Sequence, residues 1–137
     1  MIRSFFGTVP LTLPEKEPEM MLAALILNLI ILVPLVLALF TATAGMDAVF
    51  GARTDARLIL TCVYGAIGVV SAGLMALHLA QHAWAVPMTV ALFSVQIVYK
   101  LGTVALVGLG SPVVMTNLLV VAVQGVALAV LFAQSQP

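Results

Sequence analysis

A chain of 137 residues carries one domain's worth of material, but 64% of it is hydrophobic and only 7% charged, far below the roughly 25% charged of a soluble globular domain. Five Lys and Arg balance five Asp and Glu, and cations without a cluster exclude nucleic acid as a partner, because phosphate binding needs basic side chains gathered on one face. No phosphate-binding glycine loop, G-x-S-x-G, H-E-x-x-H or Cys/His cluster occurs, which removes the motif-bearing soluble enzymes.

Residues 1–19, MIRSFFGTVPLTLPEKEPE, do not read as a signal peptide, since Pro10 and Pro14 interrupt the apolar part. Ile2, Phe5, Phe6, Val9 and Leu11 make the segment an interfacial arm, lying on the membrane or against a partner. Glu17-Pro18-Glu19 then opens a helix: proline loses nothing in the first turn, and carboxylates there favour the macrodipole. The first span covers about residues 20–40, with Asn28 as its one strongly polar residue and Pro34 as a kink. Ala42-Thr43-Ala44 resembles a signal-peptidase site, but the apolar run before it is too long for a signal peptide, so the segment reads as an uncleaved anchor.

The connection 41–56 is the longest and most charged, and its Met46, Val49 and Phe50 have the spacing of a short helix lying on the membrane or the bundle. Thr54 or Asp55 is placed to cap the next helix. A second span, residues 57–79, sets Arg57, Tyr64, Ser71 and His78 seven apart, on one face from end to end. Gly65, Gly68 and Gly73 are expected to admit a neighbouring backbone. Cys62 lies within this span and has no second cysteine to pair with.

A short loop with Trp84 as interfacial anchor leads to a third span, 87–108, antiparallel to the second. Here Thr89, Gln96 and Thr103 recur every seven residues, with Tyr99 and Lys100 on the same stripe. Gly110-Ser111-Pro112 starts a fourth span, 112–133, in which Asn117 and Gln124 share a face. The fold class is therefore an all-α membrane protein, a four-transmembrane-helix up-down bundle with an interfacial N-terminal arm. Four spans put both termini on one side. Arg53 and Arg57 in the first connection, and Lys100 about eight residues or roughly 12 Å from the last loop, favour cytoplasmic loops and termini outside, in a bacterial inner membrane.

A lysine at helix centre costs roughly 2.5–3.5 kcal/mol to insert, so Lys100 demands a partner. The spans hold no acid, and the expectation is an ion pair with Asp47 or Asp55, or a cage of carbonyls, with Tyr99, Tyr64 or Gln96 as further partners. Two readings stand beside each other: an anchoring lysine that reaches the interface, and a ligand contact to an anionic headgroup or a quinone oxygen. His78 and His82 share a face if their helix runs on through the loop, a geometry able to ligate a metal, though a third ligand is missing nearby and interfacial histidines satisfied by water, headgroups or a partner are the blander reading. No cofactor is called for; contact of a histidine with a haem or pigment stays open. Asn28, Tyr64, Ser71, Gln96, Tyr99, Asn117 and Gln124 together form a polar seam, suited either to a self-satisfied core or to a cavity for a small hydrophobic molecule.

Residues 45–77, GMDAVFGARTDARLILTCVYGAIGVVSAGLMAL, resemble the equivalent part of small DoxX-like four-helix membrane proteins, at Gly45, Phe50, Arg57, Tyr64 and Gly65. The resemblance implies no catalytic residue, and implies a link with quinone-dependent oxidoreductases for some members. The leading functional expectation is a non-catalytic accessory subunit of a larger respiratory or photosynthetic type of inner-membrane complex, with lipids and other subunits or further copies of the chain as partners. A DoxX-like quinone or small-molecule binding protein comes second. A small transporter comes last, because no inverted repeat or pair of broken helices is visible.

Overall fold

The computed structural model describes residues 16–41 and 43–134, with side chains from Glu19 onward. The expected interfacial arm lies mostly outside the described residues. Five helices follow in order: α1 (Lys16–Thr41), α2 (Met46–Phe50), α3 (Asp55–Leu79), α4 (Ala85–Val107) and α5 (Pro112–Gln134). Four of them, α1 over Glu19–Thr41 and the whole of α3, α4 and α5, are long and apolar enough to cross a membrane. The start of α1 at Lys16 fits Pro18 in the first turn, where its missing N–H was unpaired in any case. Pro112 opens α5 in the same way.

The long helices form a ring in the order α1, α3, α4, α5, with α5 returning to α1. Two apolar clusters give their directions. Ala24 and Leu25 of α1 meet Leu74, Phe93 and Ala127 at one level, while Leu32 and Leu39 meet Tyr64 at another. As α1 advances, α3 therefore runs back past it, and the bundle is up-down-up-down. The short loops after α3 and α4 make those neighbours antiparallel as well.

Each inner face repeats at intervals of three and four. The buried positions are Arg57, Thr61, Tyr64, Ser71 and Leu74 on α3, Ala85, Thr89, Phe93, Gln96 and Lys100 on α4, and Val114, Asn117, Val120, Gln124 and Ala127 on α5. That is the alternation of knobs packed into a neighbour's holes. Half of these side chains are polar, and the exposed face carries Val69, Val98 and Leu106. The arrangement inverts that of a soluble bundle, as a lipid surround requires.

The expected short helix after the first span is α2, and Met46 and Phe50 pack on the Leu32, Leu39 and Tyr64 cluster. It starts and stops on glycines with positive φ, Gly45 at 91° and Gly51 at 77°, a backbone that other residues adopt only under strain. Thr54 occupies the position before α3 in an extended conformation, but its side chain makes no capping bond.

The expectation for the α3 glycines is corrected. A Cβ on Gly65 would meet only Val36 Cγ1, at 4.0 Å, and one on Gly68 or Gly73 would meet nothing within 4 Å. No backbone presses on them, because α1 approaches α3 through side chains. Gly65→Ala and Gly68→Ala are therefore expected to raise stability, each by up to about 0.5–1 kcal/mol of helix propensity. Unfolding titrations in mixed micelles measure this, and a loss at either site would indicate a close neighbour after all.

Candidate functional site

The end of the bundle that carries α2 and the α4–α5 turn concentrates the chemistry. Lys100 is 4% exposed, so the bundle covers it. Nζ donates to Asn117 Oδ1 at 2.8 Å, and it lies 5.1 Å from the centroid of the Tyr99 ring, within range of a cation–π contact. Asn117 Nδ2 in turn donates to Thr103 Oγ1 at 3.2 Å, and Thr103 Oγ1 donates to the Lys100 carbonyl at 2.6 Å. The three residues close a ring of hydrogen bonds between α4 and α5. The ring also fixes the amide: its oxygen faces the ammonium and its nitrogen faces the threonine.

The acids expected at Lys100 are elsewhere. Asp47 pairs with Arg57 Nη1, and Asp55 sits exposed in the first turn of α3. Arg57 also donates to the Gly51 carbonyl at 2.7 Å. The turn at Gly51 brings α2 back over the start of α3, so the arginine ten residues after Asp47 meets its carboxylate first. Arg57 is 3% exposed, and its Nε and Nη2 have no partner. The sequence showed Arg57 in register with Tyr64 and Ser71, but nothing in it signalled this clasp.

Beneath α2 lies a cavity of about 310 Å³ between α1 and α5. Ile31, Leu32, Leu35, Val49, Phe50 and Val113 make it apolar, and Tyr64, Lys100, Thr116 and Asn117 are its polar lining. Tyr99 and Gln96, grouped with Lys100 by spacing, do not line it. Tyr99 is partly exposed with its hydroxyl buried and unpaired. Gln96 sits deeper and accepts from Gln124 Nε2 at 3.2 Å. At the same level, Asn28 Nδ2 donates to Ser71 Oγ at 2.8 Å across α1 and α3. The seam thus pairs α1 with α3 and α4 with α5.

A second, wholly apolar groove of about 390 Å³ opens between α1 and α3, along Leu29, Val33 and Val36 on one side and Gly65, Gly68 and Ala72 on the other. Tyr64 and Leu32 border both hollows.

The histidines do not share a helix face. Helix α3 ends at Leu79, where His82 N–H bonds to the Leu77 carbonyl and Gln81 N–H to the His78 carbonyl, with Gln81 at φ 51°. These are the two bonds of a Schellman stop. Thr89 Oγ1 donates its one proton to the Ala85 carbonyl at 2.8 Å, so in its 2.9 Å contact with His78 it accepts from Nε2–H. His78 is thereby spent tying α3 to α4. His82 Nδ1 accepts from the Trp84 N–H at 3.2 Å, and among the described residues no group of three metal-binding side chains occurs.

No family model, no curated protein and no solved structure matches this chain.

Proposed function

We propose that this is a non-enzymatic membrane protein that binds a small apolar molecule between α1 and α5, with the molecule's polar end at Lys100 and Asn117. One observation carries the reading: a buried ammonium lines a largely apolar cavity of about 310 Å³. Ligand sites share this design, an apolar lining with a few placed polar groups, and span roughly 300–1,000 Å³. The quinone-linked role implied by the DoxX-like resemblance is one form of the same reading.

The test is purification of the full chain in mild detergent, followed by mass spectrometry of what it retains. A lipophilic molecule in stoichiometric amount is expected, and Leu35→Trp, which fills the apolar part of the cavity, is expected to lose it. Retention unchanged by Leu35→Trp would move the ligand away from this cavity.

The second reading is the accessory subunit, and the α1–α3 groove favours it. Small residues at Gly65, Gly68 and Ala72 leave an open apolar groove beside α1, and small residues mark helix-packing faces in membranes. Co-elution of the intact chain with larger subunits would support that reading. Both place the chain in a bacterial inner membrane with its termini outside, an orientation supported by Arg53 in the first connection and Lys100 toward the same end.

A further inference from the structure

Resting on the ligand-binding reading, we infer that the bound molecule carries an anionic oxygen head, a carboxylate or a phosphate, set against Lys100, with an apolar chain along Ile31, Leu35, Val49 and Phe50. The argument is charge balance. Among the described residues the single ion pair is Arg57 with Asp47, and Lys100 takes no part in it. Its hydrogen-bond partner is a neutral amide oxygen, and its neighbouring ring is neutral too. An ammonium has three donors. Asn117 uses one of them.

Burial makes that imbalance matter. A lysine on the lipid face stretches its stem to the interface and keeps its charge in water, whereas this one is 4% exposed and lies on a cavity wall. A charge held away from water without a counter-charge is unfavourable by several kcal/mol. A neutral head such as a quinone carbonyl accepts one hydrogen bond and leaves the charge in place. An anionic oxygen accepts the hydrogen bond and cancels the charge. Volume narrows the tail, since about 310 Å³ is at the small end for ligand sites and suits a head with part of one chain rather than two.

The same head exists on a free fatty acid and on an anionic phospholipid, and the experiment separates them. Full-length protein is placed in phosphatidylcholine nanodiscs, and binding of labelled palmitate, hexadecanol and decylubiquinone is measured. A hydrogen bond to a charged group exceeds a neutral one by enough to make palmitate about tenfold tighter than hexadecanol. Lys100→Met is expected to erase the ratio by weakening palmitate far more than hexadecanol, and Lys100→Arg to keep it. Phosphatidylglycerol added to the disc either displaces palmitate, which supports the anionic head and assigns it to the bilayer lipid, or leaves it bound, which supports a free acid.

Equal binding of palmitate and hexadecanol to the native protein would overturn the anionic head and leave the binding reading standing. That comparison needs no variant, so it decides even where Lys100→Met fails to fold. Failure of all three probes to bind would overturn both.

Discussion

Asn117→Leu is expected to destabilise the bundle by about 3 kcal/mol, and Lys100→Met in the same chain is expected to recover most of that loss. Asn117 Oδ1 is the acceptor for a buried ammonium, and a hydrogen bond to a charged group contributes roughly 1.5–3 kcal/mol. Leucine removes the acceptor and leaves the charge, which is the costly half of breaking a buried pair. It also cuts the bond from Asn117 Nδ2 to Thr103, so the ring that ties α5 to α4 opens at both of its contacts. In the double variant no buried charge remains, and two apolar side chains of similar size meet across the same helices. Such replacements are commonly neutral or stabilising.

Gln124→Leu supplies the control. It breaks a neutral bond to Gln96, and interhelical bonds of that kind average about 0.6 kcal/mol in membranes. Unfolding titrations of the three variants in mixed micelles separate the cases. If Asn117→Leu cost no more than Gln124→Leu, the ammonium would be satisfied by something other than Asn117.

Why the sequence disclosed some of this and hid the rest follows from the range of each interaction. The inward faces were legible, because seven-residue recurrence of Arg57, Tyr64 and Ser71, or of Thr89, Gln96 and Thr103, is a property of one helix alone. The short helix α2 was legible too, from Met46, Val49 and Phe50. Pairing across helices was not. Asn28 reaches Ser71, Gln96 reaches Gln124 and Lys100 reaches Asn117 over 43, 28 and 17 residues, and which layer meets which depends on axial offsets that no single helix encodes. Proximity to one end of the bundle made Asp47 look available to Lys100, but the positive-φ turn at Gly51 delivers it to Arg57. The polar part of the cavity was legible in the seam, but its apolar lining left no trace, because Ile31, Leu35 and Val113 are the same residue types as those facing lipid. A histidine pair read as i, i+4 failed for a local reason: Gln81 adopts a left-handed conformation without being a glycine, and sequence offers little warning of that.

Arg57→Met is expected to release α2 from the bundle while leaving global stability unchanged or higher. The two effects come from different edges of one guanidinium. Nη1 holds α2 down through the Gly51 carbonyl and Asp47. The first bond is made by a charged donor and contributes roughly 1.5–3 kcal/mol; the second involves a carboxylate that is 78% exposed, so solvent screening leaves it about 1 kcal/mol at most. Together they hold the closed position of α2 by roughly 3 kcal/mol, or about a hundredfold in its opening equilibrium. Nε and Nη2 act the other way, since both are buried without a partner, and a methionine of similar length removes that penalty. Hydrogen exchange therefore separates the outcomes. Amides of Met46–Phe50 are expected to exchange about a hundredfold faster in Arg57→Met, with those at the centres of α3 and α4 unchanged. Asp47→Asn is expected to produce only the smaller part of the effect. Because Val49 and Phe50 line the cavity, loosening α2 is also expected to speed the release of a bound amphiphile without changing the preference set by Lys100. Uniformly faster exchange through the whole bundle would mean instead that Arg57 supports the core, and that α2 is not a separately held cover.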